Sequence, residues 1–567
     1  MFSRTITKIT VIALGSFFCT ASLYAQNIPD AGSILRDQKL PQQPSSSRLP
    51  ESETVKEVAP SSSVERRGVD ITVKSFVFKG YDGLVTEQEL HDVTSAYAGK
   101  KLSFGELQGV ADKVTAFLKG KGWFLAKAYF PQQDVTSGVI EIDISQGLSD
   151  GTLSIKRNSE ARISPVILQR IGNTAVSKGK PLNENKMERS LLLMNDLPGV
   201  FARASLSPGS DPNSSGVELT VNEEKLVSAT LSTDNQGNYY TGPWRATAMM
   251  SINDPYGCGD QWSLLLTSAS GLLQGRVGYN HPLTRDGLKG NVAYTGMHYD
   301  LGAELAGEQY SGYSHSVEAG LDYPLRRSRG SNVATALSFG YKSLVDSKAD
   351  ISIREKQVQS ATIGLTGDYS DQLLGGSYTG GNVSCTTGNL HESILDTAQN
   401  FTRFNYGISR TQYFAKSFNF GVVWSAQKAV ENLDSGEKFS VGGPSGVRAY
   451  PVGEGSCDEG NLFNVDLRYN LPLGQKAGAL QLGGFFDAAR VTLQKNAVTL
   501  PGTATNLNEY WLKGAGAGFT YSFAGRFMLR GSWAHVIGDN PGRSAAGHNS
   551  DGRDNKSFTW LQAMVSF

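Results

Sequence analysis

Catalysis needs residues that attack, ligate metals or exchange protons, and this sequence holds few of them in a usable arrangement. Its seven histidines, at positions 91, 281, 298, 315, 391, 535 and 548, show no ligand spacing. After Cys19 come only Cys258, Cys385 and Cys457, too scattered for a metal cluster and too few for a disulfide-held scaffold. Gly514-Ala515-Gly516-Ala517-Gly518 has the composition of a phosphate-binding loop. Such a loop must feed a helix N-terminus, and this one lies inside a strand pattern. A glycine-rich strand that gives something room beside it is the better reading. No nucleophile–base pair, metal centre or cofactor is therefore expected. Lys+Arg 53 against Asp+Glu 53 gives no basic excess, which argues against a nucleic-acid partner.

With no catalytic motif to follow, the elements are read from pattern. Met1–Ala25 carries Arg4 and Lys8, then the apolar run Ile9–Cys19, then small residues. This is the order of a secretory signal, and its apolar run is too short to cross a bilayer as a helix. In residues 26–40, Asp30 is placed to cap a short helix reaching Lys39; a frayed terminus is the competing reading. Residues 41–68, rich in Pro, Ser and Gln, cannot bury a core and read as a linker. No later run approaches the roughly eighteen apolar residues of a transmembrane helix. A hydrophobic content of 39% with 10% aromatics suits a membrane β-barrel, in which only alternate strand residues face lipid.

Two similar units follow, at 69–148 and 149–224. In the first, Ile71–Phe78 alternates as a strand, Thr86–Ala98 and Phe104–Leu118 carry helical spacing, and Trp123–Phe130 and Val139–Ile144 read as strands. In the second, strand Gly151–Lys156 precedes helices Pro165–Ile171 and Glu184–Met194, then strands Phe201–Leu206 and Val217–Val221. The shared order suggests two α+β modules in tandem. Gly120–Ala128, Pro131-Gln132-Gln133-Asp134 and Gly138–Ile144 with Gly147 resemble the first polypeptide-transport-associated (POTRA) module of the TpsB family of outer-membrane transporters. Leu191–Val200 resembles the matching stretch of the second.

From 225 to 567 the period is two. Asn461–Leu471 sets Phe463, Val465, Leu467, Tyr469 and Leu471 against Asn464, Asp466, Arg468 and Asn470. Phe401–Ser409 and Arg526–Trp533 alternate in the same way. One greasy face and one charged face, repeated, suits lipid outside and a wet lumen inside. Sixteen such segments begin near 228, 244, 261, 272, 288, 313, 331, 357, 376, 400, 417, 461, 479, 510, 526 and 557. Connections after even-numbered segments are mostly tight, and most of those after odd-numbered ones are long, such as 299–312, 386–399 and 537–556. The tight side is read as periplasmic. Cys385 and Cys457 are expected toward the outer end, where a bridge between them would tether the long sixth loop, about 431–460, and Cys258 in a periplasmic turn. Leu561, Ala563, Val565 and Phe567 alternate to the terminus, resembling the C-terminal signal read by barrel-insertion machinery.

Val447-Arg448-Ala449-Tyr450, inside that sixth loop, resembles the Val-Arg-Gly-Tyr motif of the TpsB family and its wider barrel-assembly superfamily. Phe485-Phe486-Asp487-Ala488-Ala489 resembles the family's Phe-x-Asp-x-Gly strand motif. The resemblance implies a loop folded into the lumen with Arg448 paired to Asp487. Asp487 shares a strand face with Gln481 and Gly483, consistent with that placement. Ala449 and Ala489 depart from the motifs' glycines, and a turn demanding positive φ at 449 would be strained. The resemblance further implies an architecture of plug helix 26–40, two periplasmic POTRA modules and a barrel of sixteen antiparallel strands in the outer membrane of a Gram-negative bacterium. Its partner would be a secreted adhesin or cytolysin with an N-terminal recognition domain, its surroundings outer-membrane lipid. Val200, Phe201, Arg203, Leu192 and Met194 are the candidates for lining a cargo groove, by strand addition at a sheet edge. A barrel-assembly factor of the same superfamily and a passive porin are the alternatives.

Overall fold

The computed structural model describes residues 28–38, 70–159, 161–211, 214–415, 417–474, 477–497 and 502–567. The signal 1–25 and the linker 41–68 lie outside the described residues. The first described element is helix α1 (Ala31–Asp37), opened by a reciprocal cap in which Asp30 accepts from the Ser33 amide and Ser33 from the Asp30 amide.

The first α+β unit runs β1 (Ile71–Thr72), β2 (Ser75–Lys79), α2 (Glu87–Thr94), β3 (Lys101–Leu102), α3 (Phe104–Gly120), β4 (Lys127–Tyr129) and β5 (Val139–Ser145). Thr86 with Glu89 and Ser103 with Glu106 form capping boxes, so both helices start where a side chain satisfies free amides. Strand β5 lies between a parallel β2 and an antiparallel β4. Val110, Val114 and Leu118 of α3 pack on Phe76, Phe78, Ile140 and Ile142 beneath it. The expected strand over 123–130 shortens to β4. Its first half is a turn in which the Trp123 amide reaches Leu118 O, the Ala126 amide reaches Trp123 O, and the indole donates to Leu84 O.

The second unit runs β6 (Leu148–Arg157), α4 (Pro165–Gly172), α5 (Glu184–Asn195), β7 (Val200–Pro208) and β8 (Ser214–Glu223). Strand β8 is central, parallel to β6 and antiparallel to β7, so β7 is an edge. Strand β6 pairs with β8 from Leu148 onward, one residue ahead of the expected boundary. Asp196 receives the Arg327 guanidinium at 2.7 and 2.9 Å, and its carbonyl accepts from Lys289 Nζ at 2.7 Å. Arg189 donates to Pro324 O at 2.8 Å. These contacts seat the second unit on one rim of the barrel.

The barrel strands are β9 (Val227–Asp234), β10 (Arg245–Asn253), β11 (Gln261–Ala269), β12 (Leu272–Pro282), β13 (Lys289–Asp300), β14 (Tyr310–Arg327), β15 (Ser331–Lys348) and β16 (Ile351–Asp371). They continue as β17 (Ser377–Glu392), β18 (Thr397–Phe414), β19 (Phe418–Ala429), β20 (Glu459–Pro472), β21 (Ala479–Thr492), β22 (Glu509–Phe523), β23 (Phe527–Val536) and β24 (Ser557–Ser566). Each is antiparallel to its neighbours, and β24 returns to β9 to close the sixteen-stranded barrel. Leu231, Leu266, Val292, Phe339, Ile363, Ile408, Leu467 and Trp533 are exposed on the outer face of the barrel. The connection expected over 386–399 closes to 393–396, because β17 and β18 keep pairing out to Glu392 and Thr397. Cys258, Cys385 and Cys457 are all free thiols, so the Cys385–Cys457 bridge is not formed; Cys457 is buried within the base of the sixth loop, its thiol donating to Phe439 O.

Candidate functional site

Among the described residues, two pieces of chain that are not barrel wall occupy the lumen. The first is α1. Its Ala31 and Ile34 are buried among Leu272, Met297, Tyr299, Leu344, Val358 and Phe401, residues that the strands direct inward. The Ala31 amide donates to Asp346 Oδ1 at 2.7 Å, and Tyr299 donates to the same oxygen at 2.6 Å. Asp30 forms ion pairs with Arg354 at 3.2 Å and Lys356 at 3.4 Å. The helix is short because its Gln38 cap turns back onto Ile34 and Leu35 carbonyls.

The second is the sixth loop, 430–458. The Phe439 and Cys457 backbones pair at its base, and the Val447 amide donates to Val441 O at 2.7 Å near its tip. Gly443 takes a φ of +95°, which a residue with a Cβ would resist, and its amide donates to Tyr450 O. Val447, Ala449 and Tyr450 are fully buried in a cluster with Leu512, Ala489 and Ala534 of the wall. Buried Glu454 receives Asn540 Nδ2 at 2.9 Å and the Ser550 amide at 2.7 Å, which ties this loop to the connection between β23 and β24.

Arg448 sits at the centre. Its Nε donates to Asp487 Oδ2 at 2.8 Å and its Nη2 to Asp487 Oδ1 at 2.7 Å, a two-point fork. The Arg448 amide donates to Asp487 Oδ2 at 3.0 Å, so the carboxylate holds the loop's backbone as well as its charge. The remaining arm, Nη1, donates to Asp466 Oδ1 at 3.0 Å, and the guanidinium lies 3.4 Å from the Phe485 ring centre. Asn464 Nδ2 bridges Asp487 Oδ1 and Gly446 O, and Trp560 Nε1 donates to the Arg448 carbonyl at 2.8 Å.

Strand parity places these groups. Phe485 and Asp487 on β21 face inward beside Asn464 and Asp466 of β20, while Phe486 points out. Glycine supplies the space. A Cβ on Gly514 would stand 2.4 Å from the Ala449 Cβ, and one on Gly516 would stand 2.6 Å from the Phe485 ring. Ala449 is not among the residues with positive φ, so the departure from glycine carries no strain there.

Sequence pattern missed Asp466, Asn464 and Trp560 as members of the site. Asp466 and Asn464 stand on the polar face already read from β20, and that parity was the available signal. Nothing local to Trp560 announces a contact with a residue 112 positions earlier. The candidate groove residues divide. Leu192, Met194 and Val200 are buried within the second unit, because α5 lays its apolar face on β7, so they do not line an open groove. Phe201 is half-buried, and Arg203, exposed on edge β7, lies over its ring at 5.8 Å. Phe567 is exposed, and its amide donates to Ala229 O at 2.9 Å.

The model of the haemolysin secretion/activation protein family, ShlB/FhaC/HecB, matches residues 213–520, and that of the ShlB-type POTRA domain matches 71–156. The heme/hemopexin transporter protein HuxB of Haemophilus influenzae is 28% identical over 98% of both chains. The outer membrane transporter CdiB of Escherichia coli is 26% identical over 36% of this chain and 34% of its own. Among solved structures, CdiB from Escherichia coli superposes with a TM-score of 0.71 at 19% identity, covering 90% of this chain and 93% of that one. CdiB from Acinetobacter baumannii gives 0.65 at 17% identity, covering 89% and 91%.

Proposed function

Since this chain belongs to the haemolysin secretion/activation (ShlB/FhaC/HecB) family, whose match spans residues 213–520, we propose that its lumen is the cargo path and that α1 and the sixth loop are its resting contents. The chain is an outer-membrane transporter that translocates a secreted partner protein, with its N-terminal POTRA domain in the periplasm. The observation that carries the finer reading is the mode of attachment. Both α1 and the loop are held by side-chain contacts and not by strand pairing with the wall, so both can leave without unzipping the barrel.

The second α+β unit acts as a second POTRA module, and the free edge of β7, presenting Phe201 and Arg203, receives an unfolded cargo strand. Phe567 serves insertion by the barrel-assembly machinery, the apolar outer face contacts lipid, and the chain performs no catalysis of its own. The cargo belongs to heme/hemopexin acquisition rather than to a generic adhesin. What supports this is that HuxB is matched end to end, whereas CdiB is matched in sequence over about a third of the chain.

Removing the chain from its host tests the reading. One large exported protein should remain in the periplasm, return to the surface when the chain is restored, and bind heme or hemopexin. A general loss of unrelated outer-membrane barrels would point to an assembly factor. Changed solute permeability with normal secretion would point to a porin.

A further inference from the structure

The connection from β10 to β11, Asp254-Pro255-Tyr256-Gly257-Cys258-Gly259-Asp260, is a periplasmic turn with a feature that transport does not explain. Asp254 and Asp260 have no solvent exposure, and each keeps one carboxylate oxygen, Oδ2, sealed from water without a hydrogen-bond partner. Their other oxygens are used: Asp254 Oδ1 accepts the Gly259 amide at 2.6 Å, and Asp260 Oδ1 accepts the Cys258 thiol at 3.1 Å. Burying two carboxylates with an orphaned oxygen each is costly unless a cation meets them. The Arg162 guanidinium, which contacts the turn, is spent on Glu223 at 2.6 Å and on backbone carbonyls.

One donor atom each from Asp254, Cys258 and Asp260 lies within 4.8 Å of the others. His281, at the end of β12, brings Nδ1 to 3.7 Å from Cys258 Sγ. A tetrahedral zinc at ordinary bond lengths holds its sulfur and nitrogen about 3.6 Å apart. We propose that Asp254, Cys258 and Asp260 form a zinc-class metal site that pins the first periplasmic turn, with His281, in contact with Cys258, entering as the fourth donor on binding. The donor set selects the ion: thiolate and imidazole disfavour magnesium and calcium, and two carboxylates disfavour copper(I). On binding, Cys258 Sγ gives up its proton to solvent and forms the metal–sulfur bond, and the metal keeps its oxidation state.

The site has a mechanical place. Gly257 O accepts the Ser164 amide at the start of α4, and Arg162 donates to the carbonyls of Asn253 and Asp254. A metal that rigidifies this turn therefore stiffens the joint between the second unit and the barrel. Neither cysteine nor histidine spacing reveals the site, because His281 arrives through the β11–β12 hairpin.

Cobalt(II) is the probe. Detergent-solubilised full-length protein is stripped with a chelator and titrated with Co²⁺. The wild-type chain should show a thiolate-to-cobalt absorption band in the near ultraviolet that Zn²⁺ abolishes. Cys258→Ser should remove the band, His281→Gln should weaken binding about tenfold or more, and Cys385→Ser should leave both unchanged. Absence of the band in the wild-type chain, or its survival in Cys258→Ser, overturns the site. Should Cys258→Ser lose the heat-modifiable gel mobility of a folded barrel, Asp260→Asn carries the same test. Unchanged cobalt affinity in that folded variant overturns the site, and a tenfold loss supports it.

Discussion

The Arg448 side chain has three kinds of contact: a fork on Asp487, a single bond to Asp466 and the face of Phe485. Breaking a deeply buried pair costs about 3–5 kcal/mol, and a wet lumen lowers that figure. Arg448→Ala and Asp487→Ala should each cut secretion strongly while leaving the amount of inserted barrel unchanged. The double variant should be little worse than either single one, since both remove one shared contact. Lys at 448 keeps the charge but loses the fork, so it should rescue only partly. Cargo released per unit of folded transporter is the measurement. Normal release from both alanine variants would separate the loop from transport. A second residue-scale prediction concerns space. Gly514→Ala would drive its Cβ against that of Ala449, so secretion should fall, and adding Ala449→Gly should restore most of it, because the next contact, His535 O at 3.2 Å, is one that a small shift relieves. Without that rescue, the glycine of β22 serves something other than the loop tip. At this scale Gly514 was legible as room for a neighbour, but the neighbour itself was not, because proximity across the lumen leaves no trace in local period.

Among elements, α1 combines a modest apolar core with a polar latch. Burial of Ile34 is worth about 2 kcal/mol, and Asp30 adds Ser435 Oγ at 2.6 Å to its pairs with Arg354 and Lys356. Arg36 holds the loop side through Ser435 O at 2.7 Å and Ser456 Oγ at 2.8 Å. Helix and sixth loop therefore support one another inside the lumen. Deleting residues 28–38 should raise conductance in planar bilayers and leave secretion largely intact, and Ile34→Asp should raise it by a smaller amount. Unchanged conductance in the deletion would mean that α1 does not obstruct the pore. The cap at Asp30 could be read from sequence, as could the barrel strands, whose two-residue period repeats with little interruption. What escaped was the extent of β16, β17 and β18 beyond their expected ends, since polar strand ends and polar loops look alike without their pairing partners. The buried roles of Leu192, Met194 and Val200 escaped for a related reason: an apolar stripe does not say whether its cover is its own domain or a cargo.

For the whole molecule, the decisive question is whether cargo moves along the lumen or through the wall. The two routes differ at the closure between β24 and β9, where Gln562–Ser566 pairs with Thr230–Asp234, extended at its ends by the Asn235 amide on Leu561 O and the Phe567 amide on Ala229 O. Elsewhere strands pair along most of their length, as β15 does with β16 from Ser331 to Lys348. A seam with so few backbone hydrogen bonds is the cheapest place to open the wall, and an assembly factor that passes strands into the membrane would need it open. A transporter whose path is cleared by moving α1 and the sixth loop would not. Thr230 and Ser566 face one another across this seam with hydroxyls 3.3 Å apart, so that after Thr230→Cys and Ser566→Cys the two Sγ atoms are placed to join in a disulfide. With the bridge formed and verified by peptide mapping, secretion should stay within about twofold of the reduced protein, because the lumen is untouched. The native thiols at 258, 385 and 457 are controlled by the parent chain under the same oxidation. Secretion that stops on oxidation and resumes on reduction, in the double-cysteine chain alone, would place the moving part in the wall and favour the reading as an assembly factor.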